Sequence, residues 1–163
     1  MLSILIPIYN FSCFDLAREL SAQASAANVP FEIICIDDAS CFYKKENRAI
    51  RDLPHTVYIE LIENIGRSRI RNLLVSKAQY DILLFLDCDS KIANSDYIKR
   101  YLEEFRRADI LSGGTLYEPC PPTDLNYALH WTFGSKRESP PDENQRKTFT
   151  SNNFIIKKTI IEK

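Results

Sequence analysis

The run Asp81-Ile82-Leu83-Leu84-Phe85-Leu86-Asp87-Cys88-Asp89-Ser90 decides how the rest of the chain is read. Residues 81–86 are the most apolar short segment, and a run of that length reads as a strand buried on both faces. It ends on two aspartates with one residue between them. In an extended segment such residues point the same way, so Asp87 and Asp89 can approach one hard cation together. Mg²⁺ and Mn²⁺ suit such a pair, because Mg²⁺ is held by one or two carboxylates together with phosphate oxygens and water. The plainer alternative is a turn with two solvated aspartates.

Working outward, three more strands are expected, at 2–8, 31–37 and 56–62, each separated from the next by a helical pattern. Helices are expected over Asp15–Ala27, Lys44–Asp52 and Gly66–Ala78, and another, capped by Asn94 or Ser95, runs through Arg107. A fifth strand, Ile110–Tyr117, is broken by Gly113-Gly114. Alternating strands and helices imply an α/β fold with a mostly parallel sheet flanked by helices. Beyond Glu118, five of the eight prolines accumulate (Pro119, Pro121, Pro122, Pro140, Pro141) around Tyr127, Trp131 and Phe133. That stretch is expected to form loops and short antiparallel pieces. The organisation is thus an α/β portion over 1–117 and a loop-rich portion with a final strand over 118–163. The chain stops inside an amphipathic pattern, which suggests a truncated domain.

Composition narrows the chemistry. The 163 residues carry 21 Lys+Arg against 22 Asp+Glu, a net charge of -1, so no basic face for nucleic acid is forced. The four glycines are Gly66, Gly113, Gly114 and Gly134, and none lies in the first 65 residues. A glycine-rich phosphate cradle after the first strand is therefore excluded, and with it the dinucleotide fingerprint and the P-loop. Five cysteines, an odd number with no C-x-x-C spacing, suit a reducing cytoplasmic compartment. Met1 leads straight into a strand pattern, which does not read as a signal peptide.

In open parallel sheets ligands bind beyond the carboxyl ends of the strands. That edge collects Pro7-Ile8-Tyr9-Asn10, Asp37-Asp38-Ala39-Ser40, Glu63-Asn64-Ile65-Gly66-Arg67 and Asp87-Cys88-Asp89-Ser90. A carboxylate at 37–38 can accept from a nucleobase N–H while Tyr9 walls the ring, although Asp37-Asp38-Ala39-Ser40 also reads as a helix-capping turn. These four blocks, in order and spacing, together with Arg71-Asn72 and the later Ser151-Asn152-Asn153-Phe154-Ile155-Ile156-Lys157, resemble family-two glycosyltransferases of the GT-A fold.

The resemblance implies a site. Tyr9 and Asp38 would hold the base of a nucleotide, usually uracil, with backbone contacts from Pro7 and with Asp37 beside the ribose or base. Arg71 would lie near the base or diphosphate, Asn64 and Gly66 would shape that loop, Asp87 would lie near the ribose and sugar, and Asp89 would ligate Mn²⁺ or Mg²⁺. It implies metal-dependent transfer, with inversion, of a sugar from a nucleotide-diphosphate donor, a UDP-sugar for preference, to a saccharide or lipid-linked acceptor. The setting would be cytoplasmic, with peripheral association at the inner face of the membrane left open. Inversion needs a general base for the acceptor hydroxyl. No acidic pair follows Ser151-Asn152-Asn153, so the base is expected beyond Lys163, and Asp142-Glu143 is a poor substitute. His130, Trp131, Lys136, Arg137, Arg146 and Lys147 suit packing or a solvated acceptor loop better than catalysis. The rivals are a nucleotide-binding fragment without a base, a sugar nucleotidyltransferase and a receiver domain. The last two lack their glycine-rich loop and their acidic-pair placement.

Overall fold

The computed structural model describes residues 1–139 and 149–161. Pro140, Pro141, Asp142-Glu143, Arg146, Lys147, Glu162 and Lys163 lie outside the described residues. The elements run β1 (Leu2–Ile8), α1 (Phe14–Ala26), β2 (Phe31–Asp37), α2 (Lys44–Arg48, extended by a 3₁₀ turn to Asp52), β3 (Thr56–Glu60), α3 (Arg67–Lys77), β4 (Ile82–Leu86) and α4 (Tyr97–Glu104). They continue through β5 (Ile110–Ser112), α5 (Ala128–Phe133), β6 (Asn153–Lys157) and α6 (Lys158–Ile161). Six strands form one sheet in the order β3-β2-β1-β4-β6-β5. The first four are parallel, and β6 runs antiparallel to both β4 and β5.

The unbroken apolar strands are explained by cover on both faces. Leu2, Ile4, Ile6 and Ile8 point to the side of α1 and α4, where Leu16, Leu20, Ile98, Tyr101 and Phe105 complete one core. Leu5, Ile34, Ile36, Leu83 and Phe85 point the other way, onto Ile70, Leu74 and Val75 of α3. Period-two alternation within each strand therefore fills two cores, with helices on either side.

Three sequence expectations are corrected. The helix expected to be capped by Asn94 or Ser95 starts at Tyr97, because its free N-terminal amide is satisfied from α1: Gln23 Oε1 accepts from Ile98 N–H at 3.3 Å while Gln23 Nε2 donates to the Asn94 carbonyl at 2.9 Å. The fifth strand ends at Ser112, just before Gly113-Gly114, where Gly114 takes φ +72° and a Cβ on Gly113 would fall 1.9 Å from the Tyr101 hydroxyl. The described residues after Glu118 hold helical turns over 125–138 rather than antiparallel pieces before β6. No proline falls between Pro122 and Pro140 to interrupt them.

Candidate functional site

The parallel order brings the carboxyl ends of β1, β2 and β4 to one edge, with the β3–α3 loop beside them. The loops after β1 and β2 are joined by Asn10. Its Oδ1 accepts from the amides of Cys41 at 2.7 Å and Phe42 at 3.3 Å, and its own N–H donates to Ser40 Oγ at 2.8 Å. Asn10 adopts φ +51°, a left-handed conformation that asparagine tolerates better than most residues. Its role was not assigned from sequence, although an asparagine directly after a buried strand is a signal for such a turn. Tyr9, just before it, is 55 % exposed. Its ring stands on this edge rather than in the core.

Asp37 and Asp38 are both buried and both engaged. Asp37 accepts from Ser40 N–H at 2.7 Å and from the Tyr58 hydroxyl at 3.0 Å. Burial, and then the Asp37 charge, push the Tyr58 phenol well above its ordinary range, so it remains a donor. Asp38 accepts from Ile65 N–H at 2.7 Å and Gly66 N–H at 2.9 Å, and its carbonyl accepts from Asn64 Nδ2 at 3.1 Å. The structure thus ties Asp38, Asn64 and Gly66 into one loop support. Gly66 sits at φ +84°, which favours glycine, and begins α3. Pro7, within β1 and in register with Ile36, is half-buried.

A second cluster surrounds the end of β4. Asp87 is gripped from both sides: Arg71 Nη2 donates to Oδ1 at 2.5 Å and Arg67 Nη2 to Oδ2 at 2.9 Å. Arg71 Nη2 also reaches the Ser151 carbonyl at 2.9 Å. Asp87 N–H donates to the Asn152 carbonyl at 2.9 Å, and Ser90 N–H closes a turn on the Asp87 carbonyl at 3.1 Å. The extended geometry expected for Asp87-Cys88-Asp89 is therefore replaced by a turn, and the two aspartates have different surroundings. Asp87 is paired with cations, whereas Asp89 is exposed and makes no hydrogen bond or ion pair among the described residues. Burial pushes the Cys88 thiol between them up to about 12, against a backbone hydrogen bond from Tyr9. Asn72, exposed on α3, takes no part in this cluster.

Asp87 and Asp89 open onto a cavity of about 1410 Å³ that also takes in Arg67, Tyr97, His130 and Asn152. Tyr9, Asp38, Asn64, Gly66 and Arg71 do not line it. Its floor is braced by Asn153, whose Oδ1 accepts from the hydroxyls of Tyr97 and Tyr101 at 2.6 Å each and whose Nδ2 donates to the Gly114 carbonyl at 3.0 Å. Burial holds both phenols above their ordinary range, so both stay donors. Trp131 donates to the Glu118 carbonyl at 2.8 Å, which fits packing, while Lys136 and Arg137 are exposed. Among the described residues no three His, Cys, Asp or Glu side chains form a metal cluster. Asp89, a carboxylate without a partner among the described residues and lining a large cavity, fits a hard cation completed by phosphate oxygens and water.

Similarity to known proteins agrees with this architecture. A teichoic acid poly(glycerol phosphate) polymerase of Staphylococcus epidermidis is 28% identical over 116 residues, covering 66% of this chain and 15% of that protein. An uncharacterized glycosyltransferase of Haemophilus influenzae is 31% identical over 102 residues, covering 61% of this chain and 40% of that protein. The chain therefore spans well under half the length of the curated relatives it matches. Among solved structures, the mannosyltransferase PcManGT from Pyrobaculum calidifontis, in complex with GDP-Man and Mn²⁺, superposes with a TM-score of 0.64 at 15% identity, covering 99% of this chain and 45% of that one. TarS 1-349 of S. aureus in complex with UDP-GlcNAc superposes with a TM-score of 0.62 at 19% identity, covering 99% of this chain and 46% of that one. These likenesses establish the GT-A fold. The family profile described as Glycosyl transferase family 2 matches residues 3–163, and the chain belongs to that family.

Proposed function

We propose that this chain is the donor-binding part of a glycosyltransferase that moves a sugar, with inversion, from a nucleotide-diphosphate donor to an acceptor hydroxyl. The observation that carries the reading is the carboxyl edge of the sheet: an exposed Tyr9, a loop secured by Asp38, an arginine pair at Asp87 and, opening with Asp87 onto a large cavity, an Asp89 with no partner among the described residues. In this reading residues 1–117 bind the donor and residues 118–163 contribute the acceptor side.

Each residue would have a separable task. Tyr9 offers a ring face for the base, and uracil is the base we propose. Pro7 and Asp37 fix the strand ends beside it. Asp38, with both oxygens on loop amides, serves base recognition through the position of Asn64 and Gly66. Asp87 orients Arg67, which lines the cavity, toward the diphosphate and holds Arg71 close to the base or diphosphate. Asp89 would hold Mn²⁺ or Mg²⁺, which supplies charge neutralisation to the departing nucleoside diphosphate. The volume of the cavity exceeds the roughly 300–1,000 Å³ of an ordinary small-ligand pocket. That room suits a donor sugar and an acceptor together. We place the general base outside the described residues.

The ligands of two structural neighbours support the donor class: PcManGT is in complex with GDP-Man and Mn²⁺, and TarS 1-349 with UDP-GlcNAc. The acceptor we propose is a saccharide or a lipid-linked one, with the protein working at the cytoplasmic face of a membrane. Among the described residues no helix is long and apolar enough to cross a membrane. Thermal unfolding with UDP or GDP, with and without Mn²⁺, tests the reading. Ligand at 100 times its Kd stabilises by about 2.7 kcal/mol. A metal-dependent rise in Tm with UDP is expected, and no rise with either nucleotide would overturn the donor assignment.

A further inference from the structure

Among the described residues, two buried side-chain polar atoms have no hydrogen-bond partner, Arg71 Nε and Asn152 Oδ1, and both residues contact Asp87. Arg71 is already committed, with one terminal nitrogen donating to both Asp87 and the Ser151 carbonyl, and it does not line the cavity. Asn152 Nδ2 donates to Thr115 Oγ1 at 3.0 Å, which leaves Oδ1 over, and Asn152 lines the cavity shared by Asp87 and Asp89. Buried acceptors without a donor are rare and costly in native proteins.

The backbone around this amide is fixed from several sides. The Asn152 carbonyl takes Asp87 N–H at 2.9 Å, and the neighbouring Ser151 carbonyl takes Arg71 at 2.9 Å. The next residue, Asn153, is held by two tyrosine hydroxyls and the Gly114 carbonyl. A side chain with an unused polar atom on so constrained a support is suited to reading a ligand group rather than to filling space. The group must donate to Oδ1 or, if the amide is turned over, accept from Nδ2. A hydroxyl does either.

Resting on the nucleotide-sugar reading above, we infer that Asn152 is a specificity-determining residue that hydrogen-bonds a hydroxyl of the bound donor. That hydroxyl belongs either to the transferred sugar or to the ribose, and the experiment separates the two. Binding of UDP, UDP-GlcNAc, GDP and GDP-Man, each with Mn²⁺, is measured by calorimetry for the wild type and for Asn152→Ala and Asn152→Leu. The leucine variant keeps the volume without the polar atoms. Both variants are expected to melt within about 4 °C of the wild type, because they delete one neutral hydrogen bond to Thr115 together with an unsatisfied acceptor.

One neutral hydrogen bond corresponds to about a three- to tenfold change in Kd. Loss of that factor for the nucleotide sugar alone supports a contact with the transferred sugar. An equal loss for the matching nucleoside diphosphate supports a contact with the ribose. Unchanged binding in both variants overturns the inference and leaves the donor reading intact. So does a fall in Tm beyond that range with binding lost only in step with unfolding, since Asn152 would then be a scaffold residue. Failure of the wild type to bind any of the four ligands removes the donor reading, and this inference with it.

Discussion

Replacing Asp38 by alanine removes the acceptor for two amides at once. Its carboxylate is 4 % exposed and takes Ile65 N–H at 2.7 Å and Gly66 N–H at 2.9 Å. Hydrogen bonds to a charged acceptor contribute about 1.5–3 kcal/mol each. Ile65 and Gly66 are themselves partly exposed, so water can recover some of the loss. The expected destabilisation is therefore about 3 kcal/mol, a large share of the roughly 5–15 kcal/mol of a typical domain. Asp38→Asn keeps one acceptor oxygen and should cost about half as much. Urea unfolding with an unchanged slope should show a midpoint lowered by about 1–3 M for alanine. Nucleotide binding should weaken as well, because the same loop leads into α3 and carries Arg67 and Arg71 to Asp87. A loss below about 1 kcal/mol with nucleotide binding abolished would refute this reasoning. It would mean that the carboxylate serves the base directly and is not needed by the loop.

Other perturbations follow from the same contacts. Arg71→Ala should cost about 2–3 kcal/mol in chemical denaturation, since Arg71 and Asp87 are 15% and 21% exposed and the carboxylate would lose its closer cation. Arg67→Ala, at a guanidinium that is 68% exposed, should cost under about 1 kcal/mol in the same assay. Ala39 adopts φ +58°, so Ala39→Gly should stabilise by up to about 1 kcal/mol, while Gly66→Ala at φ +84° should destabilise by about 1–2 kcal/mol. Cys88 keeps its proton from an ordinary 9.0 up to about 12 in the folded state. The unfolded thiol ionises first, so stability at this group is complete below pH 9 and falls as pH rises toward 12, which urea midpoints across that range will show.

The fold was legible because its cause is local. Four apolar runs, three of them buried on both faces and β3 half-exposed at the end of the sheet, leave with the apolar-striped helices few arrangements other than a parallel sheet. Strand β2 is buried along its whole length and was readable to the residue. What sequence could not reveal were contacts between distant positions. The start of α4 is satisfied by Gln23, 75 residues earlier, and no local pattern records that. The two aspartates of the Asp87-Cys88-Asp89 run look equivalent in sequence. They differ because α3 delivers two arginines to one of them only. Asp37 and Asp38 likewise look like a free acidic pair until Tyr58 and the β3–α3 loop are seen to occupy them. The helical turns near Trp131 were obscured by prolines that flank them without entering them.

The division of labour between Asp89 and Asp87 is tested most directly by electron paramagnetic resonance of Mn²⁺ in the presence of UDP. Wild-type protein should bind Mn²⁺ together with UDP and reduce the free six-line signal, and Asp89→Ala should leave that signal undiminished while the protein remains folded. Retention of UDP-dependent Mn²⁺ binding in Asp89→Ala would contradict the assignment of Asp89 as the metal carboxylate at the edge of the sheet.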